Sequence, residues 1–340
     1  MDESSAPPAA ALWMSAGNPG AVFTSADWLR LTGLVRLVDD QPITDPQLPT
    51  AAANLSGVEI LISGWGAPRL DEAALELMPR LRAVVHAAGT VKTFVTPEVF
   101  ARGIEVSTAA AANAVPVARF TLATIILALK RMPRFAAQLQ TSDAGYRRMQ
   151  RMPRVGTRRP VIGVVGASRV GRRLLELLPV LDEFEVLLYD PYVDSVEAAA
   201  LGVRKTGLPE LCAGADIVTL HAPDTPQTHR MIGRAELAAM PDGAILINTA
   251  RGGLVDTEAL TAEVVTGRLD AYLDVTDPEP VAVDSPLRRL PNVLLTPHIA
   301  GALGEEATLL GQHAVDEIAR FVAGSGFNDP VDGDDLVRVA

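Results

Sequence analysis

The sequence has very little cysteine and no long apolar run, and both absences exclude classes of protein. Its one cysteine, Cys212, has no partner for a disulfide within the chain, and we expect its thiol to be buried rather than reactive. The longest apolar run typical of a helix, at 120–129, is about half the roughly 20 residues that cross a membrane. Asp2 and Glu3 give an acidic start, unlike the basic start of a secretory signal. We therefore expect a cytoplasmic protein without a membrane partner.

Positive charge is also in short supply. Lys and Arg number 30 against 41 Asp and Glu, which gives a formal net charge of -11. Because such an acidic field repels phosphate backbones, we expect no nucleic-acid partner. The hydrophobic share of 48% is ordinary for globular domains, and 340 residues suffice for about two of them.

Short β-rich runs alternate with helical patterns along most of the chain, which is typical of parallel sheets with helices on both faces. The sequence predicts an α/β protein of two Rossmann-like or flavodoxin-like domains. The first comprises residues 1–130 and 305–340 and is discontinuous, because long helical patterns at 113–131 and 305–323 leave and rejoin it. The second comprises residues 131–304. The predicted strands are 34–38, 58–62, 81–86 and 104–107 in the first domain, and 161–165, 184–189, 217–220, 244–248, 271–273 and 293–296 in the second.

Two segments outside these elements are polar or low in complexity. Residues 1–20 are rich in Ala, Pro and Ser, and we expect them to be poorly ordered at the start. The segment 141–160 holds six arginines, at 147, 148, 151, 154, 158 and 159. A solvated linker is favoured for this segment over an anion-binding patch.

A glycine-rich turn follows the first strand of the second domain. The sequence Gly-Ala-Ser-Arg-Val-Gly at 166–171 takes the position of the dinucleotide-binding pattern G-x-G-x-x-G, between a strand and a helix. Gly166 permits the tight turn and Gly171 permits close helix–strand packing. Ser168 replaces the middle glycine, and its hydroxyl would bond a phosphate oxygen at the helix N-terminus. Asp190, 19 residues after Gly171, matches the acid that bonds ribose hydroxyls and repels a 2′-phosphate, which favours NAD over NADP.

Three further loops each follow an apolar strand and carry a group suited to anion binding or proton transfer. These groups are Arg251, Glu279 and His298. Because ligands bind beyond the carboxyl ends of strands in open α/β sheets, the three are candidates for one site. Taken singly, each of these residues is also typical of a loop ion pair or a helix cap. The glycine turn, taken alone, is also typical of an ordinary strand–turn–helix connection.

Several motifs occur together in the expected order. They are Asn-Thr-Ala-Arg-Gly-Gly-Leu-Val-Asp at 248–256, Leu-Asp-Val at 273–275 with Pro-Glu-Pro at 278–280, Thr-Pro-His at 296–298 and Leu-His-Ala-Pro at 220–223. With these motifs the sequence resembles the D-isomer-specific 2-hydroxyacid dehydrogenase family over about residues 58–323. The resemblance implies hydride transfer between NAD and a small 2-oxo or 2-hydroxy acid, with residues 131–304 binding NAD and the other domain binding substrate. It also implies a homodimer.

The resemblance implies a role for each candidate residue. Arg251 would clamp the substrate carboxylate and keto oxygen, His298 would be the general acid and base, and Glu279 would hydrogen-bond the imidazole. Substrate contacts are also implied for the backbone amides of Gly89, Thr90 and Val91. No metal site is expected. The implied cofactor-binding residues are Gly166, Ser168, Arg169, Val170, Gly171, Asp190, Ala222, Pro223, Thr249, Ala250 and Asp274.

The sequence departs from the family pattern in ways that indicate a divergent subgroup. Ser168 replaces a glycine, Arg119 replaces a usual Glu, and Lys92 and Thr93 replace a usually acidic stretch. Two alternatives stay open beside the 2-hydroxyacid dehydrogenase. One is an NADH-sensing interaction protein similar to transcriptional corepressors, and the other is a relative that acts on formate or phosphite.

Overall fold

The computed structural model describes residues 6–141, 155–333 and 336. The chain forms two compact units, one made of Met1–Asn113 with Ala302–Ala340 and the other of Ala114–Gly301. Each unit contains a sheet of parallel strands, so the predicted α/β class and the discontinuous first domain are confirmed.

The sheet of the first unit has five strands. They are β1 Ala9–Trp13, β2 Arg36–Leu37, β3 Ile60–Ser63, β4 Ala83–His86 and β5 Glu105–Thr108, in the spatial order β2-β1-β3-β4-β5. The prediction of poor order at the start of the chain is wrong for β1, which is fully buried and pairs with β2 and β3. Burial between two neighbours stabilises a strand whose alanines have little strand propensity of their own.

Helices cover this first sheet. They are Asn18–Val22, Ser25–Leu34, Pro49–Leu55, Glu72–Glu76, Pro97–Ala101 and, from the far end of the chain, Thr308–Val322. The helix Glu72–Glu76 begins after Asp71, whose carboxylate accepts the Ala74 N–H at 3.1 Å and caps the helix. The strand predicted at 34–38 is shorter than expected, since Leu34 still belongs to the preceding helix.

The sheet of the second unit has seven strands, all parallel. They are β6 Val161–Val165, β7 Glu185–Tyr189, β8 Arg204–Lys205, β9 Ile217–Leu220, β10 Ile245–Asn248, β11 Asp270–Leu273 and β12 Val293–Leu295, in the spatial order β12-β11-β10-β9-β6-β7-β8. The exposed edge strand β8 was not predicted, because two charged residues show no strand pattern. The strand order reverses between β6 and β9, and such switch points are where open α/β sheets bind ligands.

The helices of the second unit pack on both faces of its sheet. They are Ala110–Leu129, which begins in the first unit, then Met132–Thr141, Arg169–Leu177, Ser195–Ala200, Leu208–Gly214, Arg234–Ala239 and Thr257–Val265. Cys212 lies in one of them and is fully buried, and burial raises the pKa of its thiol to about 12, as expected for an inert cysteine.

The helix Ala110–Leu129 is, in the described part of the chain, the one helix long and apolar enough to cross a membrane by length and composition. Its Ala118, Ile125 and Ala128 belong to the apolar cluster that covers one face of the second sheet. A core helix meets the same criterion, so this helix is weak evidence for a membrane span.

The arginine-rich segment is described only in part. Positions 147, 148, 151 and 154 lie outside the described residues. Arg158 and Arg159 are exposed, and both pair with Glu183, at 3.1 Å and 3.3 Å. Exposed pairs of this kind are typical of a solvated segment.

Candidate active site

The glycine turn lies at the carboxyl end of β6, at the switch point of the second sheet. Gly166 has a φ of +97°, and a Cβ there would lie 2.6 Å from the Ala222 backbone nitrogen. A Cβ on Gly171 would lie 2.2 Å from the Gly166 carbonyl oxygen. Both outer glycines of the motif are therefore required by close backbone packing.

Ser168 occupies the position of the missing middle glycine and has a structural task of its own. It is the N-cap of the helix Arg169–Leu177, and its hydroxyl oxygen accepts the Gly171 N–H at 3.3 Å. The hydroxyl proton stays available as a donor, so capping does not prevent a further bond to an anion.

Asp190 follows β7 and lies against the glycine turn. Its carboxylate accepts the Ala167 N–H at 2.7 Å and the Tyr192 N–H at 2.8 Å. A helix N-terminus beside a carboxylate at the next strand end is the donor and acceptor set that a dinucleotide's pyrophosphate and ribose require. The residues present at the turn therefore fit a dinucleotide.

The loop after β10 carries Arg251. The Asn248 side chain holds this loop, since its amide nitrogen donates to the Arg251 carbonyl at 2.8 Å and its oxygen accepts the Ala250 N–H at 3.0 Å. The hydroxyls of Thr249 and Thr121 lie 2.8 Å apart, which joins the loop to the helix Ala110–Leu129. This fixed backbone limits where the Arg251 guanidinium can reach.

Electrostatics at Arg251 are set by burial and by two acids. Burial lowers the pKa of its guanidinium, while the nearby carboxylates of Asp224 and Glu279 act in the opposite direction. One guanidinium nitrogen donates to the Ala250 carbonyl at 2.7 Å. The guanidinium has further N–H groups for an anionic ligand.

Asp274, directly after β11, organises the loop that carries His298. Its buried carboxylate accepts the Thr296 hydroxyl at 2.6 Å and the backbone N–H groups of Ile299 and Ala300 at 2.8 Å each. The His298 N–H donates to the Asp274 carbonyl at 2.9 Å. His298 has a φ of +56°, a left-handed conformation that costs energy for a non-glycine residue and that these flanking bonds hold.

His298 and Glu279 form a hydrogen-bonded pair. The imidazole Nδ1 lies 2.8 Å from the Glu279 Oε1, and the side chains are 50% and 43% exposed. A nitrogen engaged in this way leaves Nε2 to face a ligand. The pair borders a cavity of about 470 Å³ whose lining includes Asp274, Thr276, Val281, Arg288, Thr296 and Pro297.

The loop that follows β4 holds the candidates of the first unit, Gly89, Thr90 and Val91. Val91 is buried, and the Thr108 hydroxyl donates to the Gly89 carbonyl. The fully buried His86 supports this loop: its Nδ1 lies 2.9 Å from the Ser63 hydroxyl, and its ring hydrogen-bonds the Thr90 backbone. Burial lowers the pKa of His86 to about 3, so the ring is neutral.

Other predicted residues lie around the glycine turn. Ala222 and Pro223 follow β9, and Ala222 contacts Gly166 as described above. His221 is buried beside the turn, with its Nε2 3.0 Å from the Thr219 hydroxyl, and burial lowers its pKa to about 3. Arg169 and Val170 begin the helix after the turn.

Sequence reasoning missed one charged residue at this site, Asp224. A lone Asp in a loop has no pattern to signal it, and only the folded chain brings it to Arg251. Across the described ranges, no group of three or more His, Cys, Asp or Glu side chains is arranged to hold a metal ion.

Comparison with known proteins adds independent evidence. A family model described as the NAD binding domain of D-isomer specific 2-hydroxyacid dehydrogenase matches residues 122–300. The chain is 31% identical over 257 residues to D-3-phosphoglycerate dehydrogenase of Archaeoglobus fulgidus, covering 75% of this chain and 48% of that protein. The chain thus spans about half the length of this relative. It is 31% identical over 284 residues to glyoxylate/hydroxypyruvate reductase B of Yersinia pestis, covering 83% of this chain and 86% of that one.

A solved structure shows the same fold. The TT0316 protein from Thermus thermophilus superposes on the chain with a TM-score of 0.70 at 29% identity, covering 95% of this chain and 99% of that one. The matched family model, the relatives and the motif order agree. The chain belongs to the D-isomer specific 2-hydroxyacid dehydrogenase family.

Proposed function

We propose that the protein is an NAD-dependent oxidoreductase that interconverts a small 2-oxo acid and the D-2-hydroxy acid. The observation that carries this proposal is the His298–Glu279 pair, at 2.8 Å, at the same sheet edge as Arg251 and the glycine turn. An imidazole oriented by a carboxylate, at a sheet edge that also carries a guanidinium, is suited to protonating a carbonyl next to a carboxylate.

The cofactor would be held by the residues at the switch point. The turn 166–171 would take the pyrophosphate, with Ser168, Arg169 and Val170 at the helix N-terminus. Ala222, Pro223, Thr249, Ala250 and Asp274 would surround the nicotinamide. The Asp274 carboxylate accepts three bonds within the chain, which leaves it capacity for one more donor. When bound, NADH supplies the hydride that reduces the substrate carbonyl.

The chain's own residues would orient the substrate and move one proton. Arg251 would bind the carboxylate and the keto oxygen through its planar N–H groups. His298 would donate a proton from Nε2 to the carbonyl oxygen as hydride reaches the carbon, and Glu279 would keep the ring oriented. The balance is a 2-oxo acid, NADH and one proton giving a 2-hydroxy acid and NAD. The backbone amides of Gly89, Thr90 and Val91 are proposed as further carboxylate ligands.

We propose NAD rather than NADP because Asp190 lies where the adenosine ribose would bind, and a carboxylate there repels a 2′-phosphate. Its two bonds to backbone amides keep this carboxylate at the turn. The test is the ratio of kcat/KM for NADH and NADPH. We expect NADH to be preferred, and a preference for NADPH would overturn this choice.

The experiment that tests the function is NADH oxidation by the purified protein across a panel of 2-oxo acids, with formate and phosphite assayed in the oxidative direction. We expect turnover with at least one 2-oxo acid. NADH binding without any turnover favours the interaction protein, and activity on formate or phosphite alone favours the third alternative. A cytoplasmic location stays a prediction from the sequence and a homodimer stays a prediction from family likeness. Light scattering tests the dimer.

A further inference from the structure

Asp224 lies in the loop after β9, at the same edge of the second sheet as Arg251. Its carboxylate packs directly on the Arg251 loop, because a Cβ on Gly253 would lie only 2.1 Å from the Asp224 Oδ2. The absence of a side chain at Gly253 therefore leaves the space that the Asp224 carboxylate occupies. The Asp224 side chain is 33% exposed, so the charge is close to the loop and still faces solvent.

The charge of Asp224 acts on Arg251 and is only weakly compensated. Of the two acids that influence the Arg251 guanidinium, Asp224 has the larger effect. Among the described residues, its ion-pair partner is the His229 imidazole, whose Nδ1 lies 3.4 Å from the Asp224 Oδ1 in an exposed position. This pair is long and solvated, so the carboxylate keeps most of its negative potential.

Two anions, Asp224 and Glu279, already act on the Arg251 guanidinium before a substrate binds. One substrate carboxylate is matched by the bidentate guanidinium. A second anionic group on the Asp224 side of the guanidinium would be repelled by that carboxylate, while the cation Arg288 lines the cavity beside His298 and Glu279 instead.

We propose that Asp224 is a specificity-determining residue that restricts the site to 2-oxo acids with a single negative charge. This inference rests on the proposed function and names its substrate class. It predicts that 2-oxo acids carrying a distal carboxylate or a phosphate are poor substrates, although some relatives are named phosphoglycerate dehydrogenases.

The test compares kcat/KM for a monoanion, 2-oxobutyrate, with that for a dianion, 2-oxoglutarate, in the wild type and in Asp224→Asn. We expect the wild type to prefer the monoanion. The variant should raise the dianion-to-monoanion ratio about tenfold, the order of effect expected when one unit charge is removed from beside an anion at a partly exposed site. Asp224→Ser serves as a second variant if the asparagine does not fold.

The matched control is Asp242→Asn. Asp242 is an exposed acid just before the amino end of β10, at the opposite edge of the sheet, so its removal changes the net charge equally and should leave the ratio unchanged. The proposal is overturned if the dianion-to-monoanion ratio stays within twofold of the wild-type ratio in both Asp224 variants, or if it shifts as much in the control. It is also overturned if the wild type prefers the dianion.

A binding measurement separates this inference from the proposed function. Calorimetry compares oxamate, a monoanion, with malonate, a dianion, on the NADH-loaded protein. We expect Asp224→Asn to improve malonate affinity relative to oxamate by a similar factor, whether or not any 2-oxo acid is turned over. If the affinity ratio shifts but no 2-oxo acid is turned over, only the proposed function is overturned. If the affinity ratio is unchanged, the proposed role of Asp224 in specificity is overturned.

Discussion

Replacing Asp274 with asparagine tests how the histidine loop is held. Asp274 accepts three bonds, two at Oδ1 from Thr296 and Ile299 and one at Oδ2 from Ala300. Asparagine has the same shape but presents an amino group in place of one oxygen. In the more favourable of its two side-chain orientations, the asparagine oxygen keeps the two bonds that Asp274 makes at Oδ1. The asparagine amino group then faces the Ala300 N–H, so two donors meet and that bond is lost.

The expected cost follows from that single lost acceptor. A buried hydrogen bond to a charged group contributes about 1.5–3 kcal/mol, and the two bonds that remain lose the charge of their acceptor. We therefore expect Asp274→Asn to lower the free energy of unfolding by about 2–4 kcal/mol. The loss also releases His298, whose φ of +56° depends on the flanking bonds. A displacement of about 1 Å at a reacting group lowers kcat by about a hundredfold.

Urea unfolding followed by circular dichroism measures the stability, and steady-state kinetics measures kcat. Asp194→Asn is the control, because Asp194 caps the helix Ser195–Ala200 through one bond of 2.8 Å to the Glu197 amide, and asparagine caps a helix as well as aspartate does. The reasoning is refuted if Asp274→Asn unfolds with the wild-type free energy, or if it keeps the wild-type kcat.

Two further predictions concern the cofactor turn and the buried histidines. Gly166→Ala should abolish NADH binding in titrations of cofactor fluorescence, because its Cβ would meet the Ala222 backbone at 2.6 Å in a left-handed conformation. His86 and His221 have pKa values lowered to about 3, so below pH 6.5 the unfolded chain binds protons that the folded chain does not. The free energy of unfolding should therefore be highest above about pH 6.5. It should fall by about 1.4 kcal/mol per pH unit for each histidine as the pH is lowered towards 3.

Each of these has an outcome that contradicts it. Normal NADH affinity in a folded Gly166→Ala protein would show that the turn does not bind the cofactor. The control for backbone strain is Gly202→Ala, because Gly202 also has a positive φ but has open space around it. For the histidines, an unfolding free energy that is flat between about pH 7 and pH 5 would contradict their burial as neutral rings. His86→Gln should make the decline in the free energy of unfolding shallower by about 1.4 kcal/mol per pH unit, the contribution of one histidine.

The sequence predicts the fold well where pattern and burial agree. The alternation of strands and helices identified both parallel sheets. The strand β1 was missed because three alanines beside prolines have the composition of a disordered start. Its structure comes from pairing with strands that lie far away in sequence, which no local pattern records.

The candidate site was predictable to the extent that motifs carry it. Arg251, Glu279 and His298 stand in recognisable segments, and the edge of a parallel sheet explains why they come from separate loops. Asp224 carries no motif, because its importance depends on contact with a glycine 29 positions away, as counted from 224 to 253. Ser168 was expected to serve a phosphate, and its role as a helix cap appeared only with the backbone geometry.

The central claim is that His298 protonates a carbonyl while hydride arrives from the nicotinamide. The most direct measurement is deuterium transfer from NADH labelled at the nicotinamide C4 to the C2 of a monoanionic 2-oxo acid, in the wild type, in His298→Gln and in the control His313→Gln. We predict a D-2-hydroxy acid with deuterium at C2, formed at a rate that falls by about a hundredfold or more in His298→Gln and is unchanged in the control. Absence of deuterium in the product, or a wild-type rate in His298→Gln, would contradict the account.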